Sequence, residues 1–579
     1  TPPDIDTDIS DVRRGEVVEY LVHKYGEDKV SQIVTFNVML MKGAVKSVGR
    51  VLDVPYAVAD RIVKLMPEEP EIKEAIRSKY GDDKVPKHAG VLDAVKVSPE
   101  LKAEYDNDPL IREMLNIADQ IQGMPSHCGK HAAGVAIARN ELISYMPVQK
   151  DSKDGSITTQ YAKEQVEECG LVKMDLLGLS TLSIIDDTLE NIQSSRGEKV
   201  DIDRIPLDDP ATYAMLSEGE SQAVFQLESD GMRRILRDLH PERFEDIIAL
   251  VALYRPGPLG SGMVDDFING KHGVKKVKYI HSSLEGITKE TYGVILYQEQ
   301  VMQIVRALGG FSLGKADMIR RAMGKKKVEI INEAKADFVN GCRENGIERP
   351  KAEEIFELLK KFGEYGFNKS HSAAYALVSY RTAWLKANYK PEFMAATLTS
   401  QMGNQDKITK YIDHCRALGI EVLPPDINES GDKFNVVGGK IRFAMSAVKN
   451  VGREVVRQIV EERQAQGNYT SLKDLCQRLP LNKKMLESLA RCGALDSLGL
   501  NRATLLAGMD EALALAKRCQ EEKNSSQTTL FDFGLSEACN QEELSLDPLP
   551  EYPKKELLEM EKEMLGFYVS GHPFDNYRE

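Results

Sequence analysis

Three aspartates near the start of the chain are spaced to hold a metal ion. Asp4, Asp6 and Asp8 alternate with an isoleucine and a threonine. Successive side chains of a β-strand point to opposite faces, so the three carboxylates would share one face. Oxygen-rich clusters of this kind suit Mg²⁺ or Mn²⁺. The alternative is an acidic turn at a frayed end, which the two preceding prolines would fit.

A later segment, Leu171–Leu176, predicts a strand with one polar face. Lys173 and Asp175 point one way, and the apolar residues between and beside them point to a buried face. A further aspartate on a neighbouring strand would complete a set that binds two metals ~3.5–4 Å apart. One metal would activate an attacking hydroxyl, and the other would hold a triphosphate with its leaving group. Lys173 could neutralise a phosphate. The alternative is a surface-facing strand with a salt bridge.

Helices and short strands must position these residues. The predicted elements are a helix capped by Asp11, a strand near Ser31–Thr35, a charged helical region over 36–127, a Gly-rich turn leading into an apolar strand over 127–138, the strand of Asp175, mainly helices over 181–425, strands near 420–445 and a polar linker over about 516–545. At 579 residues the chain is too long for one core, so three to five domains are expected.

Charge and cysteine usage narrow the class of protein. The net charge of −14 taken alone argues against nucleic-acid binding, but phosphate contacts depend on local patches. Basic clusters are present at Arg320–Arg321 with Lys325–Lys327, and at Lys483–Lys484. The eight cysteines form no CxxC pair, which favours a reducing cytoplasm over a disulfide framework or zinc site. No apolar run is long enough to cross a bilayer, so no membrane association is expected.

Seven motifs in order resemble one protein family, the alpha (catalytic) subunit of bacterial replicative DNA polymerase III. They are Pro3–Asp8 (PDIDTD), Gly129–Gly134 (GKHAAG), Val172–Leu179 (VKMDLLGL), Tyr254–Leu259 (YRPGPL), Leu296–Gln300 (LYQEQ), Arg320–Lys326 (RRAMGKK) and Gly366–Tyr375 (GFNKSHSAAY). The resemblance covers essentially the whole chain. It implies a DNA-directed DNA polymerase that adds dNTPs to a primer 3′-hydroxyl during chromosome replication.

The resemblance also implies a fold and a domain order. The implied fold is multidomain α+β, with part of a polymerase-beta-like nucleotidyltransferase palm, a helical thumb and large helical fingers. The implied domains are palm over 1–35, thumb over 36–127, palm over 128–180, fingers over 181–425, fingers with a helix-hairpin-helix DNA-binding region over 426–515, and a linker with a clamp-binding motif and the start of the following domain over 516–579. Because the chain starts without Met and inside a motif, it is expected to be an internal fragment. The resemblance implies that the family's N-terminal PHP domain, an early palm segment with a Gly-Ser motif and the C-terminal OB and tail domains are missing from it. With an incomplete palm, the fragment is not expected to polymerise alone.

The family assigns roles to residues at matching positions. Asp4, Asp6 and Asp175 would hold two Mg²⁺ ions, for which Mn²⁺ can substitute, and Asp8 would orient a liganding carboxylate. Four residues would face the incoming nucleotide, namely Lys173, Arg320, Arg321 and His371. A solvated basic helix face is the alternative for the two arginines, and a structural role is the alternative for His371. Three further residues could either contact a phosphate or have a structural role, and the sequence does not decide between the two: Lys130, His131 and Arg255.

Two segments predict partners. Ser446–Gly452, followed by a helix, predicts half of a helix-hairpin-helix in which Lys449 and the backbone N–H groups of Val451 and Gly452 would hold a DNA phosphate. Its alternative is an ordinary helical turn. In the polar linker, Gln527, Leu530 and Phe531 resemble the family's sliding-clamp peptide. The family implies primer-template DNA, a clamp loader and a proofreading subunit as further partners.

Two other function classes fit parts of the pattern. A metal-dependent nuclease or phosphohydrolase would use the same acids to activate water, whereas a polymerase depends on dNTP and a primer. A non-catalytic DNA-binding protein would use only the helix-hairpin-helix and the basic helices. Its DNA binding would be indifferent to divalent metal and to Asp175.

Overall fold

The computed structural model describes residues 5–151, 154–277, 279, 281–324, 327–363, 366–524, 544, 546–571 and 573. The chain divides into two compact units, Thr1–Leu179 and Ser180–Glu579. Within the described residues, none of the helices combines the length and the apolar character that a membrane span requires.

The first unit combines a mixed sheet with a helical insertion. Its elements are β1 (Ile5–Ser10), α1 (Arg14–Tyr25), β2 (Val30–Val38), α2 (Met41–Val51), α3 (Tyr56–Lys64), α4 (Glu69–Tyr80), α5 (Val91–Val97), α6 (Pro99–Asn107), α7 (Pro109–Ile121), β3 (Pro125–Ile137), β4 (Val148–Lys150), β5 (Ile157–Thr159), α8 (Lys163–Glu168) and β6 (Val172–Leu179). Helices α2 to α7 enclose their own apolar core.

The six strands form one sheet in the order β1-β6-β3-β2-β5-β4. The strands β1 and β6 are parallel, whereas β3 is antiparallel to both β6 and β2. Val135 and Leu176 from the sheet pack with Leu21 of α1. The sheet therefore brings the first strand of the chain beside one more than 160 residues later, a neighbour relation that connects the two predicted acidic segments.

The strand predicted near Ser31–Thr35 is confirmed and extends from Val30 to Val38. Two other expectations for this unit were wrong. Helix α1 begins at Arg14 after a short 3₁₀ turn, and Asp11 does not cap it. The Gly-rich segment is not a turn before a strand: it lies inside β3, where the pairing with β2 jumps from Val135 to Lys130. This jump is a register irregularity like that of a β-bulge, and such irregularities re-aim side chains.

The second unit is mainly helical. Its elements are α9 (Ser180–Arg196), α10 (Pro210–Ser217), α11 (Asp230–Leu239), α12 (Phe244–Leu253), α13 (Pro256–Gly260), α14 (Met263–Lys271), α15 (Glu285–Thr288), α16 (Gln298–Gly309), α17 (Leu313–Gly324), α18 (Val328–Glu344), α19 (Arg349–Gly363), α20 (Lys369–Asn388), α21 (Lys390–Ser400), α22 (Gln405–Ala417), β7 (Val422–Leu423), β8 (Asn435–Val437), β9 (Lys440–Arg442), α23 (Arg453–Gln466), α24 (Leu472–Arg478), α25 (Lys483–Arg491), α26 (Arg502–Asn524) and α27 (Lys554–Leu565).

Three apolar cores organise the second unit. Helices α16 to α19 enclose one core around Phe338 and Phe356. Helices α10 to α14 share a second with Tyr380 of α20. The largest core joins α9, α21 and α22 to the small β7-β9-β8 sheet and to the helices after it.

The cysteines partly follow the expectation of a reduced chain. Six of those in the described residues are free thiols: Cys128, Cys169, Cys342, Cys415, Cys476 and Cys492. Burial raises the pKa of the Cys342 thiol to about 11, which makes it unreactive. Cys519 is disulfide-bonded, contrary to the expectation of a chain without disulfides.

Candidate active site

The pairing of β1 with β6 brings two of the predicted acids to the same place. Asp6 lies directly opposite Asp175 in the parallel register, and Asp8 lies opposite Leu177. Paired residues of neighbouring strands point to the same side of a sheet, so both carboxylates and Lys173 share one face. Asp4, the remaining predicted ligand, lies outside the described residues.

The polar face of β6 is more buried than the sequence predicts. Lys173 is 4% exposed and Asp175 is 8% exposed, whereas Asp6 is open to solvent. The alternative of a surface-facing strand is wrong, because β6 is covered on both edges by β1 and β3, and helix α8 packs against it. The Lys173 ammonium donates a hydrogen bond to Oδ2 of Asp175. The two residues therefore form a buried ion pair.

The other carboxylate oxygen of Asp175 accepts no hydrogen bond from the described residues. Its Oδ1 atom is buried, and no hydrogen-bond partner for it exists among the described residues. A buried charged oxygen without a partner is costly unless a cation or a water satisfies it. With the exposed carboxylate of Asp6 at the same register, this oxygen suits a hard divalent cation. No group of three or more His, Cys, Asp or Glu side chains placed for a metal occurs in the described part of the chain.

Two basic residues beside this pair were not predicted from the sequence. The Lys163 Nζ atom lies 4.0 Å from Asp175 Oδ2, from the first position of α8. Arg14 donates from Nε to the backbone oxygen of Leu176 at 2.7 Å and thereby ties α1 to β6 next to Asp175. A lysine at the first position of a helix opposes the helix dipole. That unfavourable placement was the available signal for Lys163.

The bulge in β3 explains the Gly-Lys-His motif. The His131 Nδ1 atom accepts hydrogen bonds from the N–H groups of Ala133 and Gly134, at 3.1 and 2.7 Å. A Cβ atom at Gly134 would lie 3.0 Å from this nitrogen and 3.0 Å from a methyl of Ile33. Gly134 pairs with Asp175, so the bulge supports the acidic face directly. These contacts favour the structural role for His131.

Lys130, the other open residue of this motif, also contacts protein groups. Its ammonium lies 2.5 Å from Asp154 Oδ2 and donates to the Ser156 hydroxyl at 2.8 Å. This hydrogen bond holds the pKa of the Asp154 carboxyl well below its usual range. In this structure Lys130 therefore anchors the segment before β5.

The two predicted phosphate-binding arginines differ in environment. Arg320, with a side chain 23% exposed, donates to Asp317 at 2.9 Å and to Gln298 Oε1 at 2.9 Å. Arg321 is 68% exposed, and its Nε atom lies 2.8 Å from the other oxygen of Asp317. The Arg320 hydrogen bond lowers the pKa of Asp317. Gln298 in turn donates to the Gly366 carbonyl at 3.1 Å, so Arg320 belongs to a hydrogen-bond network within the protein. The side chain of Arg321 is mostly exposed, so a phosphate can reach its guanidinium from solvent.

An aromatic cluster surrounds His371 in the first turn of α20. The His371 ring stacks on Tyr375, with centroids 4.4 Å apart, and meets the edge of Phe367 at 5.3 Å. Its backbone N–H donates to the capping Asn368 side chain at 2.8 Å. The Arg255 guanidinium lies 4.3 Å from the Phe367 ring centroid. Arg255 and His371 therefore both contact the ring of Phe367. The His371 side chain is exposed.

The predicted DNA-contact hairpin precedes α23. Gly452 is the residue before this helix, and the Lys449 side chain is exposed. The Val451 N–H donates to the Val448 carbonyl at 3.1 Å, so it closes the turn and is not directed outward. Asn450 takes a left-handed φ of 68° and donates to the Ser488 hydroxyl at 3.0 Å. The hairpin can therefore offer Lys449 and the first helical N–H groups, but not that of Val451, to a phosphate.

Comparison with known proteins agrees with this layout. A family model described as the bacterial DNA polymerase III alpha NTPase domain matches residues 1–178, and one described as the finger domain of the same subunit matches residues 181–346. A helix-hairpin-helix motif model matches residues 419–505.

Curated relatives extend the match to the whole chain. The DNA polymerase III subunit alpha of Borreliella burgdorferi is 45% identical over 100% of this chain and 49% of the relative. That of Thermus aquaticus is 45% identical over 99% of the chain and 46% of the relative, and that of Escherichia coli (strain K12) is 43% identical over 99% and 49%. The chain belongs to the bacterial DNA polymerase III alpha subunit family. It spans about half the length of the curated relatives it matches.

The polymerase III alpha family assignment confirms the resemblance carried by the seven motifs. Asp6 and Asp175 lie in the region matched by the NTPase-domain model, and Arg320 and Arg321 lie in that of the finger model. Gly452 lies in the helix-hairpin-helix match. The predicted clamp-binding residues Gln527, Leu530 and Phe531 lie outside the described residues.

Proposed function

We propose that this chain carries the active site of a DNA-directed DNA polymerase of bacterial chromosome replication. The observation that carries the proposal is the register of Asp6 opposite Asp175, with a buried carboxylate oxygen that lacks a partner in the described structure. The reaction is the attack of a primer 3′-hydroxyl on the α-phosphate of a dNTP, with pyrophosphate as the leaving group. Such chemistry needs positioning and charge stabilisation more than covalent help from the protein.

The acids would hold two Mg²⁺ or Mn²⁺ ions. Asp6 and Asp175 are the described ligands, and Asp4 is the third. When bound, the ions neutralise phosphate charge and lower the pKa of the attacking hydroxyl. Lys173 occupies one oxygen of Asp175 and so fixes the orientation of the carboxylate. The Arg14 hydrogen bond holds β6 in place beside it.

The remaining predicted roles follow the family's architecture. The proposed domains are palm over 1–35 and 128–180, thumb over 36–127, fingers over 181–425, a DNA-binding region over 426–515, and a clamp-binding linker with the start of a further domain over 516–579. Arg321 and His371 are proposed to face the nucleotide, with Arg320 supporting Arg321 through their shared partner Asp317. Lys173 was predicted to face the nucleotide as well, but because its ammonium is buried against Asp175 we propose that it orients this carboxylate instead. Lys449 and Gly452 are proposed to contact the duplex. A clamp loader, a proofreading subunit and a cytoplasmic location complete the proposal.

Product analysis tests the proposed reaction. With a labelled primer-template, Mg²⁺ and dNTPs, the intact protein should lengthen the primer one templated nucleotide at a time. A primer ending in a 2′,3′-dideoxynucleotide should not be extended. Shortening of the DNA without any dNTP-dependent synthesis would indicate a nuclease, and metal-independent binding without any product would indicate a DNA-binding protein.

The exposed Arg321 provides a test of nucleotide binding. Arg321→Ala should raise the KM for dNTP by about tenfold or more, because a lost charged hydrogen bond to phosphate costs ~1.5–3 kcal/mol. Arg320→Ala should raise the KM and also lower the unfolding temperature, because it breaks the contacts with Asp317 and Gln298. Steady-state extension with varied dNTP measures the first effect. Arg343→Ala, an exposed arginine of α18, is the matched control; a normal KM in Arg321→Ala would favour the solvated helix face.

The proposed clamp contact is tested with a peptide of residues 525–534. An apolar pair in a polar segment suits a docking peptide, and a short segment that orders on binding should have a Kd in the ~µM range. Replacing Leu530 and Phe531 by Ala should abolish binding to the ring-shaped clamp in fluorescence anisotropy. The same double substitution should shorten processive synthesis by the intact protein while single-nucleotide insertion is retained. Unchanged clamp-dependent processivity would reject the motif.

A further inference from the structure

Lys163 occupies a position that the stability of its own helix does not explain. It is the first residue of α8, a six-residue helix without a side-chain cap. A cation at a helix N-terminus is unfavourable because it faces the positive end of the dipole. The Lys163 side chain is 46% exposed, and within the described part of the chain its one ion-pair partner is Asp175. The placement of this ammonium is therefore accounted for by the carboxylate.

Two ammonium groups converge on one oxygen of Asp175. Lys173 donates to Oδ2 from inside the sheet, and Lys163 lies 4.0 Å from the same atom on the solvent-accessible side. The Oδ1 atom receives neither and is without a partner in the described structure. One oxygen of the carboxylate, Oδ2, is therefore occupied by ammonium groups, and the other, Oδ1, is available to a metal. The hydrogen bond from buried Lys173 keeps Oδ2 in this position. The half-exposed Lys163 adds positive charge beside Oδ2 without adding a hydrogen bond.

We propose that Lys163 is a positioning residue that weakens the affinity of the Asp6–Asp175 site for divalent cations. This inference rests on the proposed function, because it assigns the metal to these carboxylates. A positive charge beside a bound divalent ion raises its free energy, and the partial exposure of Lys163 moderates the effect through solvent screening. Removing the charge should lower the Kd of the site for the free metal about three- to tenfold. Lys163 would then make retention of the metal depend on the negative charge of an incoming phosphate.

Titration of the full chain with Mn²⁺, followed by the electron paramagnetic resonance signal of the free ion, measures this affinity without requiring synthesis. Lys163→Gln should lower the Kd about three- to tenfold, and Lys163→Arg, which keeps the charge, should leave it within about twofold of the wild type. Lys96→Gln is the matched control, because it removes a lysine that is paired with an aspartate elsewhere in the same unit. Lys163→Ser gives a second neutral variant with a smaller side chain.

Asp6→Asn separates failure of this inference from failure of the proposed function. Asp6 is exposed, so its amide variant should fold normally and bind Mn²⁺ more weakly. If Asp6→Asn binds Mn²⁺ like the wild type, the metal site itself is wrong. If Asp6→Asn weakens binding but both neutral Lys163 variants bind no more tightly than the wild type, the inference about Lys163 is overturned while the proposed site stands. Tighter binding in Lys163→Arg as well would also overturn it, because the charge would not be the cause.

Discussion

Primer extension by the intact protein is expected to slow by about 10³-fold or more when Asp6 is replaced by Asn. Metal-assisted phosphoryl transfer depends on charge held at the reacting phosphate, so loss of one liganding carboxylate removes an interaction that is strongest in the transition state. The affinity for primer-template DNA should change by less than about twofold, because those contacts lie with the duplex. Asp6 is exposed and lies on an edge strand, so the change leaves the core intact.

Single-turnover extension at saturating dNTP measures this effect, and fluorescence anisotropy measures the DNA affinity. Asp106→Asn, at an exposed site in α6, is the matched control and should extend normally. Asp8→Asn should have a smaller effect than Asp6→Asn, because Asp8 is opposite Leu177 and not opposite another acid. Near-normal extension by Asp6→Asn would remove the polymerase assignment from this site.

Replacement of Lys173 by Met is expected to destabilise the first unit by about 3–5 kcal/mol. The change leaves a buried carboxylate at Asp175 without its hydrogen-bonded counter-ion, which is the costly way to break a buried ion pair. Lys163 remains 4.0 Å away and offsets only part of the loss. The double variant Lys173→Met/Asp175→Leu should recover most of the stability, because apolar replacement of a whole buried pair is often neutral.

Urea unfolding followed by circular dichroism measures these differences. Lys64→Met is the matched control: Lys64 is 77% exposed and lies 3.0 Å from Asp60, so its loss should cost no more than about 1 kcal/mol. If Lys173→Met cost no more than Lys64→Met, the Lys173–Asp175 pair would not be buried in solution. The double variant separates stability from activity, since it should fold and yet fail to extend a primer.

Local patterns predicted the parts of the site that depend on strand periodicity. Alternation in β1 predicted that Asp6 and Asp8 share a face, and alternation in β6 predicted the same for Lys173 and Asp175. The register that places Asp6 opposite Asp175 is a tertiary property of strands far apart in the chain. No local signal contains it, and the family resemblance supplied the connection in its place.

Burial and hydrogen bonding within the protein explain the wrong predictions. The alternative that the Lys173–Asp175 face is a surface salt bridge is wrong, because the two charges pair inside the sheet. The Gly-rich motif suggested a turn, whereas the His131 ring accepts the backbone N–H groups that a bulge leaves unpaired. The Val451 N–H was predicted to contact a phosphate, but it donates to the Val448 carbonyl within the same turn. Each of these hydrogen bonds depends on which acceptor atom the fold places near the donor. The spacing of residues in the sequence does not specify that acceptor.

Metal-directed cleavage of the polypeptide tests most directly whether Asp6 and Asp175 hold the catalytic metal. Fe²⁺ bound in place of Mg²⁺, with ascorbate and peroxide, generates radicals that cut the nearest backbone, and mass spectrometry locates the cuts. We expect cuts in β1 near Asp6 and in β6 near Asp175, both suppressed by excess Mg²⁺ and both lost in Asp6→Asn. Cuts confined to other segments, or cuts at these strands that persist in Asp6→Asn, would contradict the account.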